Sequence, residues 1–405
     1  MKQRIMMVVF SLGLAAGLIV GGSSGGQAGM ISLDISQTDL SLPPDMDNLP
    51  FSVEQPSIFK FVRTVQLTPD ENFNSAAMGC LHYIPATDRI VALLQTWLTQ
   101  PVTLPNTGEV CTQRAVGYKE YYPDMTPTGN HGFFACSMTD LSSQMIGNTL
   151  YFARFKENLP PESPVWILAK FNAVTWEKQG EIEIPLDYPY ERVGGMTVGY
   201  VNGQIVMSGD YWAGGESGGP THSHHHFFSP DLAPLGEKLL LDIQHIPMLS
   251  LIETESAIVV LGSTSLDGDL LMMKYDKSWN YIESKIIKPQ AHFPQGAVWD
   301  GSWFYFTYAD SSQRINDQWY PNVHLAVYND DWNALDDVAV TTYLPSDPLQ
   351  PAGHWVLKHG NQLYVAYIEV HLNPDGSIDD RSFQTYVNIY ELIHNVYLPL
   401  VLRNY

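Results

Sequence analysis

The sequence is poor in charge, and poorest in positive charge. Asp, Glu, Lys and Arg make up 16% of its 405 residues, with 21 Lys and Arg against 43 Asp and Glu, a formal net charge of −22. Soluble domains usually carry about a quarter of charged residues. So weak a basic content excludes a nucleic-acid binder, which needs a positive field to meet the phosphates. Cysteine is scarce as well: Cys80, Cys111 and Cys136 are the whole supply. Three cysteines cannot build a disulfide scaffold, and their spacing is not that of a zinc site. One bridge plus one free thiol in an oxidising compartment is the simplest arithmetic. No glycine-rich phosphate loop opens a helix, and neither a Gly-x-Ser-x-Gly elbow nor a His-Glu-x-x-His pair occurs. Phosphoryl transfer, serine-esterase and zincin chemistry are thereby set aside. No segment shows sustained helical periodicity, and no apolar run reaches the ~20 residues of a good membrane span.

What is present is apolar and aromatic. Hydrophobic residues make 45% and aromatics 12%, including 22 Tyr and 10 Trp, enough for a large core. Gly and Pro, 31 and 27 residues, stay far from low complexity. Lys2 and Arg4 precede an apolar run from Ile5 to Val20, and small residues follow as far as Ala28. This pattern predicts an export signal over 1–28 and a secreted or cell-surface protein, with no membrane span in the mature chain. Residues 29–57, with Pro43-Pro44-Asp45, read as a linker or strap, and 396–405 as an apolar tail. That tail is either a sorting segment of the kind carried by secreted bacterial surface proteins or a last packed strand.

Between them, over 58–395, short β-rich runs recur, bounded by Gly, Pro, Asn and Asp. Six strongly apolar runs begin at Arg89, Thr149, Gln204, Ala257, Trp303 and Gln362. After most of them comes a strand ending in an aromatic, a polar turn, often a Trp or Leu, and another strand. Tyr275-Asp276-Lys277-Ser278-Trp279 and Tyr328-Asn329-Asp330-Asp331-Trp332 are the clearest copies. Four strands per unit and about fifty residues each is the signature of a β-propeller blade. The fold class predicted is all-β, a propeller of six four-stranded blades. The sixth blade runs out of chain after Tyr390, and Phe59 to Leu67 alternates cleanly with no partner of its own. This N-terminal strand is expected to close the ring as the missing strand, hiding an open edge. In the first blade, a third strand beginning at Cys111 and returning through Cys136 sets the two cysteines opposite each other, and a bridge between them is expected; Cys80 stays reduced and buried.

The repeat resembles the secreted bacterial six-bladed propellers of the broad sialidase-like superfamily, over nearly all of 58–395. The Asp-box of sialidases, Ser-x-Asp-x-Gly-x-x-Trp, does not occur, and Tyr275 to Trp279 is similar to it only loosely, at the equivalent turn. That departure counts against sialidase activity itself.

In a propeller the loops between second and third strands crowd one face. Here they are long: 97–110, 211–221, 310–321 and 369–384. Ligand-binding candidates at this face are Trp97, Tyr188, Tyr211, Trp212, His292, Arg314, Trp319 and His354, aromatic platforms with polar handles that suit sugar rings. Asp210, Asp310 and Glu369 end second strands in different blades and are the catalytic candidates, since glycoside hydrolysis needs two carboxylates across one bond. On a strand His222, His224 and His226 share one face, and with Asp210 nearby they are candidate ligands for a divalent metal. The leading functional expectation is a monomeric binding module for a glycan or other extracellular polymer. A propeller glycoside hydrolase or lyase and a protein-binding scaffold stand as the alternatives, and whether the protein is an enzyme is left open by the sequence.

Overall fold

The computed structural model describes residues 57–69, 73, 76–136, 141–155, 165–185, 192–212, 220–240, 246–264, 268–310, 314–315, 318–319, 322–344, 346–373, 379 and 382–393. The expected leader, the strap up to residue 56 and the apolar tail lie outside them. Strand β1 (Phe59–Gln66) comes first. The first blade holds β2 (Ala76–Ile84) and β3 (Arg89–Trp97), a small hairpin of β4 (Val102–Thr103) and β5 (Val110–Cys111), then β6 (Arg114–Tyr121) and β7 (Pro127–Cys136). The second is β8 (Leu141–Ile146), β9 (Thr149–Phe155), β10 (Val165–Asn172) and β11 (Lys178–Pro185). The third is β12 (Arg192–Val201), β13 (Gln204–Trp212), β14 (Pro220–Phe228) and β15 (Pro234–Leu240). The fourth is β16 (Ile246–Glu253), β17 (Ile258–Ser263), β18 (Leu270–Tyr275) and β19 (Tyr281–Lys288). The fifth is β20 (Ala291–Trp299) and β21 (Trp303–Asp310), the hairpin β22 (Arg314–Ile315) and β23 (Gln318–Trp319), then β24 (Asn322–Asn329) and β25 (Ala334–Ala339). The sixth is β26 (Leu349–His359), β27 (Gln362–His371) and β28 (Gln384–Leu392), and β1 pairs antiparallel with β28 as its fourth strand. The molecule is an all-β, six-bladed propeller closed by its N-terminal strand.

Strand alternation explains why six sheets make one body. Each blade is apolar on both faces, so it buries one face against each neighbour. Phe304 and Phe306 of the fifth blade pack with Leu261 and Met272 of the fourth, while Tyr305 of the same strand packs with Leu363 and Val365 of the sixth. The core is therefore a set of layers between blades. Near the axis the innermost strands are tied by polar bonds. Trp355 Nε1 donates to the Leu81 carbonyl, His82 Nε2 meets Ser143 Oγ at 2.7 Å, and Ser142 Oγ accepts from the Val198 amide. Cys80 is buried, and burial pushes its thiol up to about 12, so it stays a neutral core residue.

The outer turns repeat a tighter device. Met125, Trp176, Leu232, Trp279 and Trp332 sit between the third and fourth strands of blades one to five, all with φ between 59 and 64°. This left-handed conformation normally belongs to glycine. Here it aims a large apolar side chain back into the layer shared with the preceding blade. Trp176 stacks on Tyr118 of blade one at 3.8 Å, and Trp279 packs edge-on to Phe227 of blade three. Each turn also offers a backbone carbonyl to the preceding blade. Pro123, Trp176, Pro230, Lys277 and Trp332 accept from Tyr364, Asn106, Tyr151, Asn202 and Lys285.

Cys111 and Cys136 are disulfide-bonded, with Cα atoms 5.2 Å apart. The first blade differs from the sequence expectation in one respect. Its third strand begins at Arg114, because Cys111 pairs with Val102 in the β4–β5 hairpin. The bridge thus ties a loop to the outermost strand rather than spanning a single hairpin.

Two measurements check this account. Replacing Trp332 by Ala should cost about 3–5 kcal/mol of unfolding free energy through lost burial. Trp332→Gly, though smaller still, should be about 1 kcal/mol more stable than the Ala variant, because glycine carries no penalty at positive φ; denaturant unfolding of both gives the order. A chain that starts at residue 68 should unfold at lower denaturant and self-associate through β28, and a peptide of residues 57–67 should reverse both effects.

Candidate functional site

Second strands end, and third strands begin, on the long-loop face. The positions of Asp310 and Glu369 there are fixed by strand parity. Phe304, Phe306 and Tyr308 of β21 enter the layer with blade four, so Asp310, two residues on, belongs to that side. Leu363 and Val365 of β27 face blade five, so Tyr367 and Glu369 do too. The sheet of blade five stands between the two carboxylates. Strand parity sets them in different layers, and each has its own described neighbours.

On the blade-four side, Asp310 Oδ2 lies 3.7 Å from His324 Nε2. The opposite ring nitrogen of His324 meets Asp337 Oδ1 at 2.9 Å. Asp337 Oδ2 accepts from the Tyr308 hydroxyl at 2.6 Å and from Lys288 Nζ, across from blade four, at 2.5 Å. Burial alone would raise the Asp337 pKa, but the bonds from His324, Lys288 and Tyr308 outweigh it and hold the carboxyl at about 2. Burial, then the Asp337 charge, pushes the Tyr308 phenol far above its ordinary range. The cluster is a satisfied ion network, with Asp310 at its rim.

On the blade-six side, Glu369 is half-buried. Tyr343, in the connection from blade five to blade six, donates its hydroxyl to Glu369 Oε1. Tyr386 reaches the same carboxyl, while its hydroxyl also donates to Gln384 Oε1 at 2.7 Å. Tyr367 stacks on Tyr386 at 5.5 Å. Asn322, the ladder partner of Asp310, positions Tyr343 by accepting its amide at 2.7 Å and donating to its carbonyl at 3.0 Å. Burial raises the Glu369 pKa, against the smaller opposing effects of Tyr386 and His371. A half-buried carboxyl among phenols is a hydrogen-bonding station for hydroxyl-rich ligands.

Trp97 is already engaged: Phe383 stacks on it at 4.8 Å and the Arg114 guanidinium lies over it at 4.2 Å. His354 is 5% exposed, with Nδ1 2.8 Å from Thr307 Oγ1, so it ties blade six to blade five rather than lining the surface. For Asp210, Tyr211, Trp212, His222, His292, Arg314 and Trp319 the structure describes the backbone alone, all in strands, and Tyr188 lies outside the described residues. At the histidine strand, the carboxylate described beside His224 and His226 is Glu237 of β15. Sequence reasoning missed Glu237, Asp337, Tyr343 and Tyr386. Cross-strand register brings Glu237 opposite His226 and Asp337 opposite Ala326, and no local motif marks either.

Asp337 predicts a pH effect. Its folded pKa lies below the ordinary aspartate value of 3.8, so its stabilisation is full above the unfolded pKa and is lost as pH falls from about 4 towards 2. Asp337→Asn should cost on the order of 2 kcal/mol at pH 6, and the gap between wild type and variant should close as unfolding is measured at successively lower pH.

No protein-family model matches the chain, and no curated protein sequence matches it. Among solved structures it is similar to a Trypanosoma rangeli sialidase in complex with 2,3-difluorosialic acid, at 11% identity and a TM-score of 0.49, over 80% of this chain and 59% of that one. An exo-β-1,3-galactanase from Clostridium thermocellum is similar at 12% identity and a TM-score of 0.45, over 61% and 58%. An α-L-arabinofuranosidase from Lactobacillus brevis is similar at 10% identity and 0.43, over 62% and 89%. The chain spans less than two thirds of the length of the first two. At such identities the likeness concerns the arrangement of strands. The chain is a six-bladed β-propeller closed by its N-terminal strand.

Proposed function

We propose that this chain is an exported or cell-surface propeller that binds a glycan or another hydroxyl-rich extracellular polymer at its long-loop face. The observation that carries this reading is the placement of Glu369. Its half-buried carboxyl stands with the Tyr343 and Tyr386 hydroxyls on one side of blade five, and Asp310 belongs to the other side. Hydrolysis of a glycosidic bond uses two carboxyls separated by roughly 5–10 Å across the same sugar. Binding requires only donors and acceptors on a rigid rim. Export rests on the basic, apolar and small-residue order of residues 1–28.

The second reading, a glycoside hydrolase, is favoured by the raised pKa of Glu369, the property of a general acid. A glycan array with the chain from residue 29 onward, followed by product analysis on each glycan retained, separates the two. Retention without cleavage, weakened about tenfold by Glu369→Gln, is the expected result. Release of sugar that Glu369→Gln abolishes would transfer the site to the hydrolase reading.

A further inference from the structure

Two imidazoles and a carboxylate converge on the outer half of blade three. His224 and His226 alternate on β14, so their rings leave the same side of the strand, with centroids 4.3 Å apart. Register sets Glu237 of β15 directly opposite His226. Glu237 Oε2 lies 3.3 Å from His224 Nε2 and 3.8 Å from His226 Nδ1, and one donor atom from each residue falls within 4.8 Å of the others. Donors held about 2.1 Å from a tetrahedral ion stand roughly 3.4 Å from one another. The two nitrogen–oxygen separations, 3.3 and 3.8 Å, are close to that spacing.

Trp166 of blade two walls the cluster, edge-on to His226 at 6.0 Å. It comes this close because the ladder partner of His224 is Gly209, where a Cβ would stand 1.9 Å from the indole. His226 Nε2 is buried with no hydrogen-bond partner among the described residues. Glu237 is 56% exposed at the side chain, and its described ion contacts are the two imidazoles. The position of His226, two before the aromatic that ends the third strand, is Ala169 in blade two, Met273 in blade four and Ala326 in blade five. An imidazole there departs from the repeat.

We propose that His224, His226 and Glu237 form a binding site for a divalent transition metal of the zinc class, with a further coordination position open to solvent beside Glu237. Two nitrogen donors and one oxygen select zinc, copper or nickel over calcium or magnesium. The site lies on the outer strands of blade three, apart from the Glu369 station between blades five and six, and does not depend on the glycan reading.

The test uses the chain without a polyhistidine tag, stripped with a chelator and titrated with Zn²⁺ by calorimetry, with Co²⁺ absorption to report geometry. One equivalent of zinc and a tetrahedral cobalt spectrum are expected. Glu237→Gln, at a half-exposed position, should leave the unfolding midpoint of the metal-free chain in place and weaken zinc about tenfold or more. His224→Ala combined with His226→Ala should remove the equivalent altogether. Failure of the stripped wild type to take up stoichiometric zinc, or an affinity unchanged in both variants, would overturn the site.

Discussion

Each blade of this ring is held by the turn of the next. A flat four-stranded sheet with two apolar faces is not stable alone; it needs a neighbour on both sides. The turns ending in Trp176, Trp279 and Trp332 meet that need by bending left-handed, at a local cost of about 1–2 kcal/mol each. In return, a whole indole is buried against the preceding sheet, and a carbonyl is paired there. Leu232 and Met125 do the same with smaller side chains. The sixth blade has no such turn, because its fourth strand comes from the other end of the sequence. There the β1–β28 ladder, from Phe59 opposite Leu392 to Gln66 opposite Tyr386, completes the sheet. Closure is thus a backbone ladder within blade six, while side chains join all the seams, at five of them with the help of a turn.

Layers between blades decide which polar groups can meet. Two residues at the ends of neighbouring second strands look close in a sequence repeat. Alternation sends them into the same layer only if their parities oppose each other across it. Asp310 follows Tyr308 and Glu369 follows Tyr367, so blade five separates them. Functional chemistry in such a ring therefore tends to form within one cleft, from a second strand, the following third strand and the connection between blades. Glu369, Tyr386 and Tyr343 are such a set.

The sequence made the repeat legible because its strongest signals are local. The six apolar runs, the aromatic that ends each third strand and the Trp of the outer turn all sit within one strand or turn of their cause. The spare alternating strand at Phe59 was legible for the same reason: a clean period of two with no partner nearby. The Cys111–Cys136 pair was anticipated from position, but its loop-to-blade geometry was not, because a two-residue ladder to Val102 leaves no mark in composition. The candidate sites were only half visible. His224 and His226 declare themselves by alternation, whereas Glu237 sits in an ordinary polar strand. It becomes a partner through a register shift between Phe227 and Phe228 that no residue type announces.

Blades three and five place the same residue types at equivalent positions and put them to different ends. His224 and His324 each stand four residues before the aromatic that ends the third strand, and Glu237 and Asp337 each stand nine after it. In blade five the carboxylate is neutralised in place: Lys288 arrives from blade four, Tyr308 donates, and the position corresponding to His226 is Ala326. That set is complete, and it holds its acid at about 2. In blade three Ala gives way to His226, and the neighbouring blade supplies the indole of Trp166 where blade four supplies an ammonium. The same geometry then brings two imidazoles and one carboxylate together. Swapping a cation from the neighbour for an imidazole on the strand itself turns an internal salt link into a set of two nitrogen donors and one oxygen donor. The repeat thus supplies a ready-made acid–histidine pair, and the identity of one residue on the strand and one across the layer decides whether it locks the blades or is left for an ion.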